Sequence, residues 1–186
     1  MSRPLGQMLA AAIASMAAEA PTPMLVVPVP LHPRRQRERG FNQARLLAAS
    51  ALQSLRRTHS GWALQLSPAS LIRHRETAPQ ALLAPHQRRI NLARAFRVAE
   101  PRQIKGRNIL LVDDIVTTGA TARACAQALL DAGASSVSIA ALARAQLSVE
   151  NGRWIPADAL DNTHCVHYEL PDDLPTNAHP PTPHPT

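Results

Sequence analysis

A mostly parallel, twisted α/β sheet with helices on both faces is the fold this sequence predicts, on three observations. Asn108–Val112 (NILLV) is an apolar run of strand length, Thr121–Gly133 (TARACAQALLDAG) is rich in helix formers and closes on glycine, and Val137–Ala143 (VSIAALA) is a second apolar run. Strand, loop, helix and strand in that order make a βαβ unit, whose strands lie parallel under a helical cover. A length of 186 residues suits one such domain.

The remaining elements follow in chain order. Leu5, Leu9, Ile13 and Met16 recur at helical spacing in the Ala-rich N-terminus, which predicts a packing helix rather than a secretory signal. Met24–Val29 (MLVVPV), bounded by Pro23 and Pro28, reads as a buried strand, and Pro30–Arg37 as the loop after it. Phe41–Arg57 carries a leucine stripe and reads as a helix. A strand is expected around Ser70–Ile72, then an exposed loop from Arg73, with a short helix from Pro85 toward Ala93. Beyond Arg144 the patterning fades, and the proline-rich stretch from Pro171 cannot build a core. The expected organisation is an N-terminal helical element (1–22), a main domain (23–145), an extension (146–170) and a tail (171–186).

Composition narrows the function classes. Apolar residues at 45% and charged residues at 18% fit a folded body, and no apolar run reaches transmembrane length, so membrane insertion is not expected. Aromatics at 3% argue against a base-stacking platform. Twenty basic residues against thirteen acidic ones, with Lys105 the only lysine, suit phosphate-bearing partners. Two isolated cysteines, Cys125 and Cys165, make no disulfide framework, and a reducing, cytoplasmic setting is expected. Adjacent positions in His164–His167 (HCVH) cannot all face one metal, and Cys125 reads as a small core residue. His32 has no visible partner.

The chemistry concentrates in ILLVDDIVTTGAT, Ile109–Thr121. In a parallel sheet, ligands bind beyond the carboxyl ends of the strands, where helix N-termini aim free N–H groups outward. Asp113 and Asp114 fall on that edge, and the next turn offers the N–H groups and hydroxyls of Thr117, Thr118 and Thr121, with Gly119 and Ala120 between them. Such a turn cradles a phosphate. Carboxylates beside it would repel the ligand unless they met another part of it, and a sugar phosphate supplies that part: its vicinal hydroxyls can donate to the aspartates, directly or through a divalent cation.

This stretch resembles the phosphoribosyl-pyrophosphate (PRPP) motif of the type I phosphoribosyltransferases. Together with VVPVPLHPRRQRERGFNQARLLA (Val26–Ala48) and RHRETAPQALLAPHQRRINLARAF (Arg73–Phe96), the chain resembles the ComF/GntX group of phosphoribosyltransferase-like proteins over roughly residues 24–144. The resemblance implies the type I fold, ribose hydroxyls on Asp113 and Asp114, and the 5-phosphate on Thr117, Thr118, Gly119, Ala120 and Thr121. It also implies pyrophosphate at Pro30, Leu31, His32, Arg34 and Arg35, with Arg37 adjacent, and Mg²⁺ arriving with PRPP rather than held in a protein cage. Asn42 and Gln43 would order that loop. Arg73, Arg75, Thr77, Gln80, Arg88, Arg89 and Asn91 fall on what resembles a mobile loop that closes over PRPP.

Catalysis would then be displacement at C1 of the ribose, with release of pyrophosphate to an acceptor the motif does not name. The alternative is an accessory DNA-uptake protein of the competence type that binds single-stranded DNA through its arginine clusters. A homodimer or a partner in the competence machinery goes with either. The cysteine-rich zinc ribbon that many ComF-like proteins carry ahead of this domain has no counterpart in the sequence.

Overall fold

The computed structural model describes residues 2–16, 22–75, 95–116, 119–144, 147–150 and 153–156. In chain order the elements are α1 (Ser2–Ser15), β1 (Met24–Pro28), α2 (Pro33–Arg39), α3 (Gln43–Thr58), β2 (Leu64–Leu66), β3 (Leu71–Arg73) and β4 (Phe96–Val98). They continue as α4 (Pro101–Ile104), β5 (Asn108–Val116), α5 (Ala120–Asp131), β6 (Ser136–Arg144), β7 (Leu147–Glu150) and β8 (Arg153–Pro156).

Four strands form the main sheet in the order β2-β1-β5-β6, and every pairing is parallel. The period-two alternation of β5 builds two cores at once. Ile109 and Leu111 join Leu25, Val27, Val137 and Ile139 against Cys125 and Leu129 of α5, while Leu110 and Val112 join Met24, Val26 and Ala140 against α1 and α3. Both faces are therefore covered, which is why β1 and β5 read as unbroken apolar runs. Against α1, the close approach of Gly6 to Ser50 of α3 leaves no room for a side chain.

Several expectations need correcting. Of the α1 stripe, Leu9 and Ile13 are fully buried but Leu5 is 41% exposed, because the contact at Gly6 turns the packing face toward Gly6, Leu9, Ala10 and Ile13. The stretch expected to hold one strand around Ser70–Ile72 holds two. Leu64–Leu66 is the edge strand of the main sheet, whereas Leu71–Arg73 pairs antiparallel with Phe96–Val98 in a separate hairpin. Ser67 to Ser70 turns the chain between them, with the Ser67 and Ser70 hydroxyls 2.6 Å apart. Past Arg144, β7 and β8 pair antiparallel where no pattern was legible. The helix expected from Pro85 to Ala93, the HCVH stretch and the tail from Pro171 lie outside the described residues.

Candidate functional site

β5 runs on past its apolar stretch, and its register with β6 continues through Asp113 opposite Ala141 and Ile115 opposite Ala143. Asp113 follows Ile109 and Leu111 on the α5 side, near enough to Cys125 to act on its thiol, and the Asp114 carboxyl lies beside it. Each carboxylate accepts from the backbone N–H that follows it: Asp114 N–H donates to Asp113 Oδ1 at 2.9 Å, and Ile115 N–H to Asp114 Oδ1 at 2.9 Å. Burial, and then the Asp114 carboxyl beside it, raise Asp113 to a pKa of about 7, against the opposing pull of the Asp114 N–H. The shift favours the protonated form of Asp113.

Cys125 is fully buried behind Asp113 on α5. Burial first, and then the charge of Asp113, push its thiol up, with Arg73 pulling the other way. A thiol so held is a core side chain, not a nucleophile.

After β5 the chain reaches Gly119, buried and left-handed (φ 70°, ψ 4°), which forms the N-cap of α5. The half-buried Ala120 and Thr121 begin the helix, whose first N–H groups face the same edge as the aspartates. Thr117 and Thr118 lie outside the described residues.

The first loop is tied to this edge. Val29 N–H donates to the Val112 carbonyl at 2.8 Å. Asn42 Nδ2 donates to the Val29 carbonyl at 3.0 Å, while Asn42 Oδ1 caps α3 by accepting from Arg45 N–H at 3.1 Å. Pro30, Leu31 and His32 are thereby held beside the end of β5. The loop is shorter than expected: Pro33 at the first helical position and His32 Nδ1, accepting from Arg34 N–H at 3.4 Å, start α2 there. Arg34 and Arg35 sit on this helix rather than in a loop, and Arg34 Nε donates to Glu38 Oε1 at 3.0 Å with both side chains exposed. Arg39 Nη1 reaches Gln43 Oε1 at 2.6 Å.

Arg73 also departs from expectation. It belongs to β3, opposite Phe96 in register, with its guanidinium carbon 5.5 Å from the centre of the Phe96 ring. His74 N–H still donates to Ala95 at 3.0 Å, so the exposed Arg75 is the first residue beyond the ladder. Thr77, Gln80, Arg88, Arg89 and Asn91 lie outside the described residues.

The structure thus brings together Asp113, Asp114, Gly119, Ala120, Thr121 and the Pro30–His32 loop, and carries Arg34 and Arg35 outward on α2. Two features were missed from the sequence. Ile115 is 52% exposed beside the aspartates, which the alternation through Ile109, Leu111 and Asp113 could have signalled. The other is Phe96 as the partner of Arg73, for which the short apolar runs flanking the basic segment were the available sign. A polar groove lined by Gln7, Ser50, Gln53, Ser54 and Arg57 lies between α1 and α3, away from this edge.

A family model described as the phosphoribosyl transferase domain matches residues 63–159, just over half of the chain. The chain belongs to the phosphoribosyl transferase domain family, and the matched residues include β5 with its aspartate pair and α5.

Its relatives include DNA utilization protein YhgH of Escherichia coli (strain K12), 42% identical over 122 residues, or 66% of this chain and 50% of the relative. Competence protein F of Haemophilus influenzae is 36% identical over 126 residues (66% and 51%), and competence protein ComFC of Bacillus subtilis 34% over 121 residues (64% and 44%). These names agree with the resemblance to the ComF group, and the chain spans about half the length of these relatives. Among solved structures, a hypoxanthine phosphoribosyltransferase from Staphylococcus aureus is similar with a TM-score of 0.49 at 11% identity, covering 85% of this chain and 77% of that one.

Proposed function

We propose that the carboxyl edge of β5 binds PRPP or a related ribose phosphate, and that the domain transfers the phosphoribosyl group to an acceptor with release of pyrophosphate. The observation that carries this reading is the juxtaposition of Asp113 and Asp114 with the left-handed Gly119 that opens α5. The ribose hydroxyls donate to the two carboxylates, and the 5-phosphate takes the N–H groups of residues 117–121. Pro30, Leu31 and His32 lie at the pyrophosphate, with Arg34 and Arg35 of α2 adding positive charge. Arg75 and the basic residues after it, Arg88 and Arg89 among them, close over the ligand, exclude water and neutralise the leaving group.

Among the described residues no three histidine, cysteine, aspartate or glutamate side chains cluster to hold a metal. Two adjacent carboxylates do fit Mg²⁺ in the way that ion is commonly bound, through one or two carboxylates plus substrate phosphates and water. Mg²⁺ bound with PRPP would supply charge neutralisation at the departing pyrophosphate. In this reading one of Asp113 and Asp114 stabilises positive charge developing on the ribose as the bond from C1 to pyrophosphate breaks.

Calorimetric titration with PRPP and Mg²⁺ tests the reading, with saturable binding expected for the wild type and none for Asp113→Ala/Asp114→Ala. Absence of wild-type binding would refute it. Pyrophosphate release measured across bases and amines then identifies the acceptor.

A second reading rests on a separate observation: Arg35, Arg37, Arg39 and Arg45 are exposed around the 47%-exposed Phe41. Such a surface suits single-stranded DNA, in line with the competence and DNA-utilization names of the relatives. Binding would weaken steeply with salt as phosphate contacts release counterions, and a flat salt response would exclude it. No helix of the described residues is long and apolar enough to cross a membrane; a cytoplasmic setting is proposed from cysteine usage.

A further inference from the structure

α1 and α3 lie side by side over one face of the main sheet. Leu9 and Ile13 of the first and Leu47, Leu52 and Leu55 of the second share a core with Met24, Val26 and Leu110. Their outward sides therefore form one surface, turned away from the sheet. Neither helix contains an aspartate or a glutamate. The charge on this surface is carried by arginine, with Arg56 and Arg57 exposed in the last turn of α3.

The same surface leaves large apolar side chains in water. Leu5 is 41% and Met8 43% exposed, one turn apart on α1, and Leu46, one turn ahead of Ser50 on α3, is 47% exposed. Three of the five large hydrophobic residues exposed among the described residues thus fall on these two helices, the others being Phe41 and Ile115. An isolated exposed leucine needs no explanation, but several on one surface mark a contact. The groove between the helices offers two carboxamides, two hydroxyls and the Arg57 guanidinium, and no carboxylate. Its lining suits an oxyanion, and the surface around it is aliphatic.

We propose that the outer surface of α1 and α3 docks on an anionic lipid bilayer, with a headgroup phosphate in the groove at Arg57 and with Leu5, Met8 and Leu46 entering the acyl boundary. The aliphatic side chains decide between a membrane and a nucleic acid. Leucine and methionine gain by entering hydrocarbon, whereas single-stranded nucleic acid is held by aromatic rings, of which neither helix has any. Arginines without a neighbouring acid are drawn to the negative surface of such a bilayer. The docking is peripheral, because the sides of both helices that face the sheet stay in the core.

Flotation of the full chain with vesicles tests it, comparing phosphatidylcholine alone with phosphatidylcholine containing phosphatidylglycerol. The wild type should float with the anionic vesicles and not with the neutral ones, and should leave the anionic ones as salt is raised. Arg56→Gln/Arg57→Gln should weaken flotation about twentyfold. Leu5→Gln/Met8→Gln should weaken it about tenfold and leave the salt dependence as it was, because it removes apolar burial and no charge. All four positions are exposed, so thermal melts of both variants should match the wild type. Wild-type protein that fails to float with anionic vesicles overturns the proposal, as does flotation that both variants retain in full. A dimer that Leu5→Gln/Met8→Gln dissociates, with no flotation, assigns the surface to a second copy of the chain. A thymidine oligonucleotide bound through Arg56 and Arg57, with no flotation, assigns it to nucleic acid. Either result overturns the proposal too.

Discussion

Asp114 turns its backbone N–H onto Oδ1 of Asp113 at 2.9 Å, so the two acids are locked together at the end of a buried strand. The two carboxyls lie side by side, both half-buried. The fold holds Asp113 at a pKa of about 7, chiefly through burial. Without a ligand that arrangement is a local cost, as groups kept for binding often are.

A pH dependence follows. Between roughly pH 4 and 7 the folded chain retains a proton on Asp113 that the unfolded chain has released, so stability is greatest below this window and falls as pH rises through it. The loss is at most about 4 kcal/mol. The melting temperature of the ligand-free protein should drop from pH 5 to pH 8, and Asp113→Asn should flatten the profile and raise the value at pH 8. A wild-type profile that rises across this range would contradict the assignment.

Binding should reverse the sign. A ligand whose hydroxyls donate to Asp113 favours the carboxylate, so PRPP is expected to displace a proton near pH 7 and to bind more tightly at pH 8 than at pH 6. Calorimetry in buffers of different ionisation enthalpy reads the released proton, and its loss in Asp113→Asn identifies the source.

Asn42 joins two parts of the site, since its Nδ2 donates to Val29 and its Oδ1 caps α3 at Arg45 N–H. Asn42→Ala removes a cap and leaves the Val29 carbonyl without that donor, at a cost of about 2 kcal/mol. Chemical denaturation measures the loss. Because the same bond anchors the Pro30–His32 loop, PRPP affinity should fall further than ribose 5-phosphate affinity.

Gly119 takes a left-handed conformation (φ 70°) that a side chain disfavours. Gly119→Ala should cost about 1 kcal/mol in stability and should weaken PRPP and ribose 5-phosphate alike, because the 5-phosphate is common to both. Denaturation and the paired titrations separate the two effects.

The sheet was legible because β1 and the Ile109–Val112 run of β5 are buried on both faces and contain only apolar side chains. The apolar run ends at Val112, but β5 continues through both aspartates to Val116, because its pairing with β6 holds that far. What escaped the sequence depended on tertiary partners. Leu64–Leu66 and Phe96–Val98 are three residues each, too short to show a period, and become strands only by pairing with Met24–Val26 and with Leu71–Arg73. α2 looked like a loop because the six residues after Pro33 are all polar, with none of the helix buried, and only Pro33 and the His32 cap mark its start. Leu5 fitted the apolar stripe of α1, but the packing at Gly6 on Ser50 set the helix rotation and left Leu5 exposed.

The central claim is one of placement, and a crystal structure of the complex with PRPP and Mg²⁺ tests it most directly. Ribose hydroxyls are expected within hydrogen-bonding distance of Asp113 and Asp114, and the 5-phosphate against the N–H groups leading into α5. Ligand density on the exposed arginines of α2, with the aspartates still turned onto their own backbone and untouched by the sugar, would contradict it.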